Sequence, residues 1–152
     1  MMAQIPRKVL VIVLAYNAAK TIESVLWRVP KELDQYDTEV LVLDDASVDG
    51  TFDVAKAFQE REVGYPFKLT VLTNPVNQNI GGNIKIGFRY AIRNGFDVAC
   101  LIHGDGQYAP EELPRLARPI ADGNADVVFG SRMMEGFRAL KGGMPLYKFV
   151  GN

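Results

Sequence analysis

The chain has a single cysteine in 152 residues, and none of its apolar runs approaches the roughly 20 residues that a bilayer span requires. Cys100 therefore has no partner for an internal disulfide, which excludes a small secreted fold built on disulfides. An excess of charge of one sign is also missing. Seventeen Lys and Arg stand against 18 Asp and Glu, for a formal net charge of −1. With no basic run or block of like charge, nucleic acid is not an expected partner on electrostatic grounds. Residues 1–8 lack the apolar core of a signal peptide, and the apolar run that follows them is strand-sized. A cytoplasmic location is the default that these absences leave. No internal repeat, linker or low-complexity segment interrupts the chain, so one domain is expected, long enough to bury a core. Residues 146–152 are amphipathic and read as the opening of another element. The expected organisation is thus a single domain over 1–152, truncated where a further segment begins.

What the sequence does contain is a repeated pattern. Residues 9–14 form an unalternating, β-branched run, as expected of a strand buried on both faces. A helix follows, with Ile22, Val25, Leu26 and Val29 at helical spacing, Asn17 as a candidate cap and Pro30 closing it. Residues 39–43 predict a second strand, with Phe52, Ala55 and Phe58 marking a second helix. Residues 68–72 predict a third strand, followed by a loop rich in Asn and Gly. Ile84, Phe88, Ala91 and Ile92 supply the stripe of a third helix, stopped at Asn94-Gly95. Residues 98–102 predict strand four. Pro110 suits the first turn of a fourth helix, while Pro114 and Pro119 predict that this helix is short or bent. Residues 126–130 predict a fifth strand. Strands alternating with helices through short connections imply an α/β fold, a mostly parallel central sheet with helices on both faces. In such sheets ligands bind beyond the carboxyl ends of the strands, where strand order reverses.

Every polar cluster falls at one of those ends. After strand one come Ala15-Tyr16-Asn17. After strand two comes Asp44-Asp45-Ala46-Ser47-Val48-Asp49-Gly50-Thr51. Ser47 and Asp49 either cap the next helix or join the site. Asp44 and Asp45 directly follow an apolar strand and would be costly there unless donors or a ligand engage them. A carboxylate so placed suits a ribose hydroxyl or a base imide. After strand three, Gly81 and Gly82 either shape a tight loop or approach a ligand, and Lys85 is either a solvated charge or a phosphate partner. The glycines follow the third strand rather than the first, so they do not constitute a dinucleotide fingerprint, and no Walker lysine pattern occurs. After strand four, His103, Asp105 and Gln107 alternate with Gly104 and Gly106. On an extended backbone the three side chains would leave one face and converge on a divalent cation. Asp105 is the favoured ligand and Gln107 the next, while His103 is the weakest, since a lone histidine at a strand end is more often a packed or hydrogen-bonded side chain. Arg132, after strand five, either reaches the crevice to pair with phosphate oxygens or forms a surface ion pair.

Taken together, Tyr16-Asn17 with Glu23, the run 44–51, residues 79–83, His103-Gly104-Asp105-Gly106-Gln107 and Gly130-Ser131-Arg132 resemble the family 2 glycosyltransferases. The resemblance is to their dolichyl- or polyprenyl-phosphate sugar transferase branch, and it covers nearly the whole chain. It implies a GT-A fold, the Rossmann-like nucleotide-diphospho-sugar transferase architecture. It further implies a nucleotide-diphosphate sugar (UDP- or GDP-linked) held by Ala15, Tyr16, Asn17, Glu23, Asp44, Asp45, Gly82, Lys85 and Gly104. Asp105 would match the second acid of the family's Asp-x-Asp motif, which binds Mn²⁺ or Mg²⁺. Gln107 would match a glutamine joining that cation site, and Arg132 an arginine on phosphate. His103 stands where the first acid is expected; imidazole suits Mn²⁺ better than Mg²⁺. Asp105 and Arg132 would then be the catalytic pair. The expected activity is metal-assisted direct displacement onto an acceptor such as a polyprenyl phosphate, peripheral to the inner face of the plasma membrane, with a homodimer left open. Two rivals follow from the same residues: an inactive nucleotide-sugar-binding module and, less well matched, a sugar nucleotidyltransferase.

Overall fold

A computed structural model describes residues 7–131. Four strands, β1 (Lys8–Ala15), β2 (Asp37–Asp44), β3 (Lys68–Thr73) and β4 (Val98–His103), form one sheet in the order β3-β2-β1-β4. All three ladders are parallel. Helices α1 (Ile22–Trp27), α2 (Thr51–Arg61), α3 (Asn79–Arg93) and α4 (Leu113–Ala121) alternate with the strands. This is the predicted α/β order. β1 and β2 bury seven of their eight residues each, which is why they lack apolar–polar alternation.

Strand parity divides the core. Val9, Val11 and Val13, with Val40 and Val42, pack in one cluster with α1, α2 and α4 residues such as Leu26, Phe58 and Ala117. Leu10, Ile12, Leu14, Leu41 and Leu43 form a second cluster with Ala91 of α3, and Ile84 packs partly buried against it. Helices therefore cover both faces. The chain winds outward from β1 to β3, then crosses back to place β4 on the far side of β1. The reversal of strand order lies between β1 and β4, the point where such sheets open a crevice.

Four local expectations need correction. Asn17 does not cap α1: Thr21 precedes that helix, while Asn17 sits at φ +50° and bonds to the β2–α2 loop instead. Helix α3 begins at Asn79, so Gly81 and Gly82 lie in its first turns rather than in a loop. Its buried face is Asn83, Gly87 and Ala91; of the predicted stripe Ala91 is buried and Ile84 partly so, while Phe88 and Ile92 are exposed. At Gly87 a Cβ would stand 2.9 Å from Ile12 Cγ2, so only glycine lets the helix sit this close to the sheet. Residues 126–130 form no strand. Val127 and Phe129 are 63% and 86% exposed, and β4 pairs only with β1 among the described residues. A β-branched run becomes a strand only where a ladder partner and a covering layer receive it. Pro110 opens a 3₁₀ turn, Pro110–Glu112, ahead of α4. That helix is short, as its prolines predict, with Pro119 inside it.

Candidate functional site

The strand ends surround a cleft of about 260 Å³, lined in part by Ala15, Tyr16, Asp45, Asn83, His103 and Asp105. It opens where strand order reverses. Two loops frame it and are zipped to each other by four hydrogen bonds. Asn17 N donates to Ser47 Oγ (2.8 Å), Ala18 N to Thr51 Oγ1 (2.8 Å), Ala19 N to Asp49 Oδ2 (3.0 Å), and Val48 N to Asn17 Oδ1 (3.2 Å). Asp49 Oδ1 also accepts from Thr51 N at the start of α2. Ser47, Asp49, Thr51 and Asn17 thus build the loop scaffold. The hydrogen bonds from Thr51 and Ala19 hold the Asp49 carboxyl below its ordinary range.

The adjacent acids part company. Asp44 and Asp45 are both buried, at 2% and 4% exposure, yet consecutive strand residues leave opposite faces. Asp44 Oδ2 accepts from Thr73 Oγ1 (2.8 Å) and Ser47 N (3.2 Å). Its Oδ1 is buried without a hydrogen-bond partner, an open acceptor of the kind a ligand or water completes. Asp45 turns the other way and lines the cleft. Its Oδ1 accepts from Asn74 Nδ2 (2.7 Å) and Gln78 N (2.8 Å).

Beyond β4 the backbone turns instead of staying extended. Gly106 has φ +74° and Asp105 Oδ1 accepts from Gln107 N (3.0 Å). His103 and Asp105 still line the cleft, but Gln107 does not; the expected three-way convergence becomes two-way. The His103 ring meets Tyr108 edge-on, with centroids 4.9 Å apart. Gly104 is packed tightly between Ile22, Ala15 and Leu14, its N–H donating to Leu14 O (2.7 Å) and its carbonyl accepting from Thr21 Oγ1 (2.7 Å). Arg28 closes the loop from outside through a paired contact with Glu111, at 2.7 and 2.9 Å. That contact raises the guanidinium's affinity for its proton and lowers the carboxyl's.

Several predicted residues stand apart from the cleft. Glu23 pairs with Arg61 Nη2 across α1 and α2 (3.3 Å). Gly82 packs on Gln78, and Lys85 is exposed on α3. Arg132 lies outside the described residues. Burial pushes the Cys100 thiol up to about 11, which removes it as a nucleophile. Sequence reasoning missed Asn74 and Asn83 as individuals within their polar loop. The available signal was spacing: Asn83, Gly87 and Ala91 recur every four residues, so an asparagine shares the buried stripe of α3.

Among the described residues no three His, Cys, Asp or Glu side chains cluster to cage a metal ion. His103 and Asp105 offer two donors. That set fits a divalent cation drawing its remaining ligands from phosphate oxygens and water, with the imidazole favouring Mn²⁺ over Mg²⁺.

Among the described residues, a four-stranded parallel sheet with helices on both faces, and an acid-bearing cleft at its switch point, define a Rossmann-like α/β ligand-binding domain. The chain belongs to glycosyl transferase family 2, whose profile matches residues 10–141. It is 36% identical over 131 residues to an undecaprenyl-phosphate mannosyltransferase of Micrococcus luteus, covering 85% of this chain and 50% of that protein. It is 32% identical over 130 residues to a polyprenol monophosphomannose synthase of Mycolicibacterium smegmatis, covering 86% and 47%. Among solved structures, a mannosyltransferase of Pyrobaculum calidifontis in complex with GDP-Man and Mn²⁺ aligns with TM-score 0.56 and 26% identity, over 70% of this chain and 30% of that one. The chain spans about half the length of the curated relatives it matches.

Proposed function

We propose that the cleft binds a UDP- or GDP-linked sugar together with Mn²⁺ or Mg²⁺, and that the protein transfers the sugar to a polyprenyl phosphate. The observation that carries this reading is the placement of Asp45 and of His103 with Asp105 on opposite sides of β1, in one cleft at the switch point. Asp45 is positioned to accept from a ribose hydroxyl or base N–H. His103 and Asp105 would hold the cation, which when bound neutralises charge on the diphosphate. Arg132 would add a phosphate contact, a role supported by the resemblance alone. A phosphate acceptor is already anionic and needs no general base. Its oxygen would form the new bond on the face of the anomeric carbon opposite the departing nucleoside diphosphate, with inversion. The names of the relatives, an undecaprenyl-phosphate mannosyltransferase and a polyprenol monophosphomannose synthase, support a lipid phosphate as acceptor, and such an acceptor would draw the protein to the membrane surface that carries it. Among the described residues no helix is long and apolar enough to cross a membrane.

Calorimetry with UDP- and GDP-sugars in the presence of Mn²⁺, paired with a transfer assay on a short-chain polyprenyl phosphate, tests the proposal. Saturable binding with turnover is expected. Binding without turnover would favour the inactive module, for which His103 in place of an acid is the specific observation. Absence of binding would overturn both.

A further inference from the structure

Asn83 is 2% exposed, and a buried carboxamide must find partners for both of its ends. Its Nδ2 donates to the Leu43 carbonyl (3.1 Å) and its Oδ1 accepts from Asn74 Nδ2 (3.1 Å). A main-chain carbonyl can only accept, so Leu43 dictates which end of Asn83 faces it; a flip would set oxygen against oxygen. Asn83 Oδ1 in turn requires a donor, so Asn74 must present its NH₂ group. The same NH₂ donates to Asp45 Oδ1 (2.7 Å), where Gln78 N adds a second bond (2.8 Å). Polarity is therefore transmitted from the end of β2, through two asparagines, to a carboxylate in the cleft. With Oδ1 engaged twice, Oδ2 is the oxygen left to a ligand.

We propose that Asn83 and Asn74 are positioning residues that lock Asp45 in the orientation that receives the nucleoside part of the donor. The proposal rests on the nucleotide-sugar reading of the cleft. Asn74 does not line the cleft and acts through Asp45, while Asn83, which does line it, reaches Asp45 through Asn74.

The test is a double-mutant cycle on the full chain. Dissociation constants for UDP and GDP with Mn²⁺ are measured for wild type, Asn74→Ala, Asn83→Ala, Asp45→Ala and the Asn74→Ala/Asp45→Ala pair. Inorganic pyrophosphate with Mn²⁺ is the control, and melting curves confirm folding. Each asparagine variant should weaken nucleotide binding by about tenfold, a change corresponding to one lost hydrogen bond. Pyrophosphate binding should change by less than about twofold, and the double variant should bind no worse than Asp45→Ala alone. Should Asn83→Ala fail to fold, Asn74→Ala decides, since Asn74 lies outside the helix. Folded asparagine variants that bind nucleotide like wild type would overturn the relay, as would costs that simply add in the double variant. If wild type bound pyrophosphate but neither nucleotide, the nucleotide reading itself would fall and the relay with it.

Discussion

A carboxylate buried at a strand end costs several kcal/mol unless donors meet it, and Asp44 and Asp45 meet that requirement in different directions. Asp44 is held by the neighbouring β3 and by its own loop, whereas Asp45 is held by the residues leading into α3. Adjacent positions in the sequence thus belong to different sides of the sheet. Asp105 is the opposite case: it is exposed, and its Oδ1 accepts from the backbone of Gln107. Asp105→Ala should therefore shift stability by no more than about 0.5 kcal/mol, in the range of ordinary surface substitutions. Transfer should fall by about a hundredfold or more, as when a group stabilising transition-state charge is removed. Melting curves and initial rates on the same preparation check both halves, and retained activity would remove Asp105 from the cation site.

At the scale of elements, α3 owes its position to two contacts about one turn apart, the first at the middle of its buried face. Gly87 permits close approach to Ile12 and Leu43. Gly87→Ala gains about 1 kcal/mol of helix propensity but overpacks a filled core, which typically costs about 1–3 kcal/mol. A net loss in denaturant midpoint is expected, with the far-ultraviolet dichroism unchanged. Nearer the helix's carboxyl end, the Glu39 carboxylate of β2 accepts from Lys68 Nζ (2.7 Å), Thr70 Oγ1 (2.7 Å) and Tyr90 OH (2.6 Å), joining β2, β3 and α3. Burial alone would raise its pKa, but the bonds from Lys68, Tyr90 and Thr70 prevail and hold it below the ordinary 4.5. A carboxyl depressed in the folded state contributes stability that is fully present above its unfolded value and is lost as pH falls through the folded one. The melting temperature should therefore drop on acidification below about pH 4.5. Glu39→Gln should flatten that limb of the profile while lowering stability at neutral pH; an unchanged acid limb would discount the Glu39 contribution.

At the scale of the whole sheet, the order β3-β2-β1-β4 puts β1 and β2 in the interior, laddered on both sides, and β3 and β4 at its edges among the described residues. Opening β1 breaks two ladders and exposes both core clusters, so its amides should open only with global unfolding. Hydrogen-exchange mass spectrometry should find β1 and β2 slowest, with β3 and residues 126–131 fast. Equal protection of β3 and β1 would contradict this topology. The same order places the cleft, since β1 ends between the acid-bearing loops that follow β2 and β4.

The sequence by itself determined the alternation of strands and helices through β4 and α4, because strands buried on both faces must be written as continuous apolar runs. The fifth strand it also predicted, over 126–130, is not formed. It also located Ala15, Tyr16, Asp45, His103 and Asp105 at strand ends, where polar residues interrupt those runs. Only the tertiary structure decided which of two neighbouring acids entered the cleft, because strand parity acts only once both faces are assigned. It likewise set the start of α3, and with it the inward turn of Asn83, since a helix register depends on what packs beneath it. The run 126–130 carries strand-forming residues that no ladder receives among the described residues. His103 and Asp105 share a wall after a turn that Gly106 and the Asp105–Gln107 bond create, where periodicity alone had extended the chain and carried Gln107 with them.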